Sequence, residues 1–245
     1  MSKLNLRLSH KNNKQKKINN FEVYPINSRY QIPLFNIKKL SRRFCITKKE
    51  NTYVFFHAQS LEQAQAIFEL MRELRFQNNY LAKIFLQPLA AIKIEKLNYF
   101  SRPSKVYLIG LKDRVVDDLD LQSIKKRRKE KNRIIGSCIF NLAKLHERQI
   151  ALGDVSLSNI YKKITDNTAV FGPPAQLRIT KSIKDGYHEF ALFLCNLKNN
   201  GLVRQKELEI YIDHYLKSFE NKTEEEKEKQ KIINLYKKYY KKYYE

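Results

Sequence analysis

The order of elements between residues 145 and 172 restricts the fold of this chain more than any other feature. An apolar helical stripe ends at Leu145, and the loop that follows carries Asp154 and Asn159 five residues apart, before two short β-rich runs. Phosphoryl transfer uses a carboxylate near the attacking hydroxyl and a polar oxygen that helps to hold a metal ion on the phosphates. The spacing is compatible with that chemistry. The alternative is that Asp154 caps a turn and Asn159 begins a strand, as both residue types often do.

The residues on either side of this loop predict a buried helix and a β-hairpin. The helical pattern begins near Leu119, continues through the charged run Lys125–Lys131 and ends near His146. Its apolar stripe consists of Ile134, Ile135, Cys138, Ile139, Leu142 and Leu145. After the loop, residues 160–164 and 168–171 are typical of two strands around a short turn.

The N-terminal half has the patterns of a sheet with one helix. Arg43–Thr47 and Thr52–His57 predict a hairpin, and Ser60 begins a helix in which Gln63 stands at the capping-box position. The apolar stripe of that helix is formed by Leu61, Ala64, Ile67, Phe68, Met71 and Leu74. Further β-rich runs are Leu81–Leu86, Ala90–Glu95 and Lys105–Ile109, interrupted by Pro88 and by residues 101–104. We therefore predict a two-lobed α+β fold.

Four segments follow from these patterns. Residues 1–20 are predicted to be a disordered basic leader, because polar residues dominate there and nothing repeats at helical or strand period. Residues 21–112 are predicted to form a β-rich N-lobe with one helix, and residues 113–220 a mainly helical C-lobe that contains the loop. Residues 221–245 are predicted to form a basic amphipathic helix.

Residues 142–161 resemble the pattern L-H-x-x-x-I-x-H-G-D-x-x-x-x-N of protein-kinase-like proteins, as in the bacterial lipopolysaccharide-core and Kdo kinases and their RIO-like relatives. Gly153, Asp154 and Asn159 match this pattern, whereas Leu152 stands where it usually has histidine. The resemblance implies a protein-kinase-like fold with ATP and Mg²⁺ as cofactors. It also implies that Asp154 is catalytic, orienting the substrate hydroxyl or accepting its proton, and that Asn159 binds the metal.

Three departures from the family pattern bear on activity. Val170 stands where the family has the metal-binding aspartate of its D-F-G motif, and valine offers no oxygen ligand for Mg²⁺. The first glycine of the chain is Gly110, so the first lobe lacks a glycine-rich loop over the phosphates. Residues 55–57 occupy the expected place of the strand lysine. Together the departures favour weak or absent catalysis, although Asp154 and Asn159 are retained.

Three functions therefore stay open. The first is a divergent phosphotransferase that transfers phosphate from ATP to a lipopolysaccharide-core sugar or a related hydroxyl. The second is a catalytically inactive pseudokinase that acts as a binding or regulatory module. Whether the substrate is a sugar or a protein stays open. The third is a basic nucleic-acid-binding protein, for which the sequence contains no recognised motif. Two weaker resemblances, Asp185–Leu194 to the helix that supports the catalytic loop and Ile210–Leu216 to the final kinase helix, favour the first two.

The charge of the chain is strongly positive. There are 48 lysine and arginine residues against 25 acidic ones, a net charge of +23, which favours polyanionic partners. A drift of the genome toward A/T-rich codons would produce the same excess without any binding role. Cys45, Cys138 and Cys195 lie far apart with no metal-site spacing, which fits a reducing compartment.

The C-terminal segment suggests a membrane contact. In residues 223–245, Thr223 and Glu226 form a capping box, and tyrosines alternate with lysine pairs toward the end. Tyrosine rings at headgroup level with lysines reaching anionic lipid would make an interfacial anchor. Packing of this helix on the second lobe is the alternative. With neither a signal sequence nor a membrane span in the sequence, we expect a cytoplasmic protein, peripheral at the inner face of the cytoplasmic membrane.

Overall fold

The structure is a computed structural model. It describes residues 5–7, 16–18, 21–25, 31–33, 43–48, 51–77, 83–94, 105–112, 114–153, 155–174, 176–220 and 225–245. The chain forms two compact units. The first contains Met1–Val115 and Phe171–Ala175, and the second contains Val116–Val170 and Gln176–Glu245.

The first unit is a sheet with one helix. Its elements are β1 (Asn5–Arg7), β2 (Lys16–Ile18), β3 (Phe21–Pro25), β4 (Gln31–Pro33), β5 (Arg43–Lys48), β6 (Asn51–Ala58), α1 (Leu61–Gln77), β7 (Gln87–Ile94) and β8 (Lys105–Lys112). Six of these strands form one antiparallel sheet in the order β2-β3-β7-β8-β6-β5, and β1 pairs with β4 separately. The predicted hairpin is confirmed as β5 and β6, which pair in register from Arg43 with Phe56 to Lys48 with Asn51.

The predicted cap and apolar stripe of helix α1 are both present. The Ser60 hydroxyl accepts a hydrogen bond from the backbone N–H of Gln63 at 3.1 Å, which satisfies one of the free donors of the first turn. All six residues of the predicted apolar stripe are buried. The helix packs against the sheet through this stripe, so its burial supplies most of the helix's stability.

One predicted strand is wrong. Among residues 81–86, the described residues 83–86 form a turn with a single bridge from Phe85 to Phe171, and the strand β7 begins only at Gln87. Pro88 lies inside β7 instead of interrupting it, because a register shift between Pro88 and Ala90 places the proline at an irregularity of the ladder.

Within the predicted leader, β1 and β2 are strands, and the other residues of 1–20 lie outside those described.

The second unit is mainly helical. Its helices are α2 (Leu121–Lys126), α3 (Arg128–Glu147), α4 (Ile183–Asn199), α5 (Leu208–Lys217) and α6 (Glu225–Tyr244), with short 3₁₀ helices at Leu157–Asn159 and Gln205–Glu207. Its strands are β9 (Val116–Asp118), β10 (Ile150–Ala151), β11 (Ile160–Lys163), β12 (Ala169–Phe171, whose last residue belongs to the first unit) and β13 (Arg178–Ile179). The α+β fold class, with a β-rich and a mainly helical part, is thus confirmed.

The predicted helices of the second unit are present with one difference. The long helix predicted from Leu119 is divided at Arg127 into α2 and α3, and Asp120 caps α2 through bonds to two backbone N–H groups. The whole predicted stripe of α3 is buried. Helix α6 packs on α4 and α5 and buries Ile232 and Tyr236. Within the described residues, no helix is both long enough and apolar enough to span a bilayer.

Candidate functional site

The candidate loop runs from the end of α3 to the start of β11. Gln149, at φ 57°, turns the chain out of α3, and Ile150–Ala151 pairs with β13. Gly153 has φ +79°, and a side chain there would meet Gln176, so this position needs glycine. The Leu157–Asn159 turn then leads into β11. Asp154, the predicted catalytic residue, lies outside the described residues.

A buried carboxylate on α4 holds this loop. Glu189 is only 7% exposed, and its Oε1 accepts a hydrogen bond from the backbone N–H of Gly153 at 2.5 Å. Its Oε2 accepts a second bond from the backbone N–H of Leu152 at 3.0 Å. Two successive N–H groups of the loop therefore point at one carboxylate. Such charge-assisted bonds are stronger than those to neutral acceptors, so Glu189 fixes the backbone immediately before Asp154.

The imidazole of His146 completes this network. Its Nε2 lies 2.7 Å from Glu189 Oε2 and its Nδ1 lies 2.6 Å from the Tyr215 hydroxyl. Burial raises the pKa of Tyr215 well above its ordinary value, and Tyr187 and Glu189 raise it further. Tyr215 therefore keeps its proton. Because the Glu189 carboxylate only accepts, the Nε2–H of His146 donates to it, and the Tyr215 hydroxyl contacts the other ring nitrogen.

The sequence places support for the loop on the correct helix but not at the correct residue. Asp185, the aspartate of the predicted supporting helix, is at the start of α4, where its Oδ2 accepts bonds from the backbone N–H groups of Lys181 and Ser182. Glu189, one turn later, makes the contacts to the loop. The available signal was the single acid Glu189 directly before the apolar run from Phe190 to Leu194, because a buried carboxylate requires partners.

Asn159 has the property expected of a metal ligand. Its Oδ1 is buried and has no hydrogen-bond partner within the described part of the chain. An unsatisfied buried acceptor is unfavourable, and a cation that binds there would supply the missing contact. Carbonyl oxygens of this kind are suitable ligands for Mg²⁺. Asn159 therefore fits the implied metal, although no cluster of three or more histidine, cysteine or acidic side chains occurs among the described residues.

Val170 does not fit such a metal. It lies in β12, is 2% exposed and offers only methyl groups. Asp166 does not replace the missing aspartate, because its Oδ1 accepts bonds from the Thr168 backbone N–H at 3.0 Å and hydroxyl at 2.7 Å. Burial opposes ionisation of Asp166, but these bonds and the charges of Lys163 and Arg133 outweigh it and hold its pKa below the ordinary value. Asp166 thus stabilises the hairpin turn.

Comparison with solved structures identifies the fold. No model of a known family and no curated protein matches the chain. The structure of WaaP in complex with acyl carrier protein aligns with 84% of this chain and 87% of its own, at 10% identity and a TM-score of 0.54. The chain has a protein-kinase-like fold. The fold predicted from the loop sequence is confirmed.

Two further solved structures align at lower TM-scores. WbdD in complex with the kinase inhibitor LY294002 aligns at 15% identity with 86% of this chain and 46% of its own, with a TM-score of 0.42. The choline kinase LicA from Streptococcus pneumoniae aligns at 10% identity with 84% of this chain and 85% of its own, with a TM-score of 0.41.

Proposed function

We propose that this chain is a divergent kinase-like phosphotransferase that uses ATP and Mg²⁺ to phosphorylate a hydroxyl of a lipopolysaccharide-core sugar or a related acceptor. The buried Oδ1 of Asn159, which has no hydrogen-bond partner among the described residues, carries this proposal, because a bound Mg²⁺ would supply the missing contact. The kinase-like fold and its similarity to WaaP support it.

The residues of the loop have distinct proposed roles. Asp154 orients the acceptor hydroxyl or takes its proton, and Asn159 provides an oxygen ligand to the metal. Glu189 acts on neither substrate, since both its oxygens already accept bonds from the loop and from His146. It is a positioning residue that fixes the backbone beside Asp154. Bound Mg²⁺ and ATP would supply the phosphoryl group and neutralise its charge.

A change at Asn159 tests the metal role directly. We expect saturating ATP to raise the melting temperature only when Mg²⁺ is present, by the equivalent of about 2–3 kcal/mol at a ligand concentration of ~100 Kd. Asn159→Ala should lose this Mg²⁺-dependent rise, while its melting temperature without nucleotide should not fall, because the change removes an unsatisfied buried acceptor. Ser158→Ala, at the exposed neighbouring position, is the matched control.

A second function, the pseudokinase module, is favoured by Val170. A buried valine in place of the metal-binding aspartate removes one oxygen ligand from the site. If nucleotide and Mg²⁺ leave the melting temperature of the parent chain unchanged, the phosphotransferase proposal fails and the binding module stands. Binding to nucleic acid stays a prediction from charge alone.

An anionic membrane surface also stays a proposed partner of α6. Ile232 and Tyr236 face the protein core, so the exposed lysine pairs Lys237–Lys238 and Lys241–Lys242 would make the contact. Each lysine near such a surface contributes about 1 kcal/mol, so changing all four to glutamate should abolish binding to vesicles that contain phosphatidylserine. Co-sedimentation measures this, and equal binding of parent and variant would disprove the contact.

A further inference from the structure

A cavity of about 350 Å³ lies beside the candidate loop, within the second unit. It is lined by Gly153, Val155, Glu189, Leu192, Asn196, Tyr243 and Tyr244. Its volume falls in the range of roughly 300–1,000 Å³ that is usual for small-molecule sites. The two loop residues in its wall flank Asp154 in the sequence, so a ligand here is next to the loop segment to which we assign catalysis.

The far wall of this cavity is the last turn of α6, which hydrogen bonds connect to the loop. The Tyr244 hydroxyl donates to Asn196 Oδ1 at 2.6 Å. The amide nitrogen of Asn196 donates in turn to the carbonyl oxygen of Val155 at 3.3 Å. Asn196 lies on α4 two turns after Glu189 and on the same face of the helix, so α4 holds both the loop and the end of α6. These hydrogen bonds therefore fix the position of the cavity wall that the end of α6 forms.

The lining indicates the class of ligand. It offers two tyrosine rings, one amide and the apolar side chains of Val155 and Leu192, with neither lysine nor arginine among the described residues of the lining. The Glu189 carboxylate repels anions, and its oxygens accept bonds from the loop and from His146. Tyr243 is 55% exposed, and the Lys242 ammonium lies 4.9 Å from the centroid of its ring. Aromatic rings beside a few polar groups suit a neutral ring that is apolar on its faces and carries hydroxyls at its edge.

We propose that this cavity binds the ring of a neutral sugar, with Tyr243 as its aromatic contact and Tyr244 and Asn196 as the wall that orients it. The assignment rests on the phosphotransferase function proposed above and names the acceptor subsite of that function. It gives the end of α6 a role in substrate binding, so the last residues of the chain matter for the acceptor and not for the nucleotide.

The test is a binding measurement without nucleotide. Saturation-transfer NMR on the full chain uses methyl α-glucopyranoside as a neutral probe and Kdo as an anionic one. The neutral probe should give signals from its ring protons, and the anionic one weaker signals. Tyr243→Ala should weaken binding of the neutral probe by about three- to tenfold, whereas Tyr243→Phe, which keeps the ring, should retain it. Ile210→Ala, at an exposed position outside the cavity, is the control and should bind like the parent.

The outcomes separate this site from the proposed function. The absence of signal from the neutral probe in the parent, or equal binding by the parent and Tyr243→Ala, overturns the sugar site. The thermal shift with Mg²⁺ and ATP on the same preparation reports independently on the phosphotransferase. If Mg²⁺ and ATP raise the melting temperature but the neutral sugar does not bind, only the proposed sugar site is disproved. Sugar binding that is sensitive to Tyr243, without a nucleotide shift, leaves the site standing and removes the phosphotransferase function.

Discussion

Replacing Gly186 by alanine is expected to lower the free energy of unfolding by about 2–3 kcal/mol. A β-carbon at this position of α4 would lie 2.6 Å from His146 Nδ1 and 2.7 Å from His146 Cβ, closer than side chains approach in proteins. The imidazole has no free direction in which to move, because it is 1% exposed and both its nitrogens are hydrogen-bonded. The substitution therefore displaces the group that supports Glu189.

A second glycine provides a matched control within the same unit. Gly136 lies in the middle of α3, and a β-carbon there would meet the His214 ring at 3.5 Å, an ordinary contact. Gly136→Ala should raise the stability by up to about 1 kcal/mol, because alanine favours the helix over glycine. Urea unfolding of both variants measures the difference. If both changes stabilise the protein, the close approach of α4 to His146 is not present.

Changing Glu189 to glutamine is expected to cost about 2–3 kcal/mol and to release the candidate loop. The side-chain amide keeps the shape but introduces a donor. If the amide nitrogen is placed toward Gly153, it opposes the Gly153 backbone N–H, so two donors meet where the parent has a 2.5 Å hydrogen bond. Placed the other way, it can donate to His146 only if Nε2 of that imidazole carries no proton, and the N–H of Leu152 then loses its acceptor.

Hydrogen exchange at two amides reports on this change most directly. The N–H groups of Leu152 and Gly153 should be protected in the parent and exchange much faster in Glu189→Gln, while the amides of α3 change little. Glu207→Gln is the control, since its carboxylate bonds the backbone N–H of Arg204 in an exposed cap and its loss should cost only about 1 kcal/mol. Unchanged protection at Leu152 and Gly153 would show that the loop does not depend on Glu189.

The sequence predicts those parts of the fold that local periodicity determines. The stripes of α1 and α3 and the strand-forming runs of β5 and β6 are properties of adjacent residues, and all of these elements form as predicted. The division of the long helix at Arg127 and the inclusion of Pro88 in a strand were not predicted, because they depend on contacts with distant segments. Propensity alone does not report such contacts.

The candidate site shows the same distinction. The loop pattern identifies Asn159, and the structure adds that its oxygen is buried with no hydrogen-bond partner among the residues that the structure describes. Glu189 was not identified, because nothing in its local sequence states that its carboxylate meets two backbone N–H groups 36 and 37 residues earlier. His146 and Tyr215, 69 residues apart, likewise meet only through tertiary packing. The sequence therefore locates the loop, and the fold reveals what holds it.

Catalysis of phosphoryl transfer by the loop is tested most directly by following the γ-phosphate of ATP. The parent chain, γ-labelled ATP, Mg²⁺ and a lipopolysaccharide-core acceptor should yield labelled acceptor. Asp154→Asn should reduce that rate by about 10²- to 10⁴-fold, the usual contribution of a catalytic acid or base, while still binding nucleotide. Equal incorporation by parent and variant, or none by a parent that binds ATP with Mg²⁺, would contradict the account.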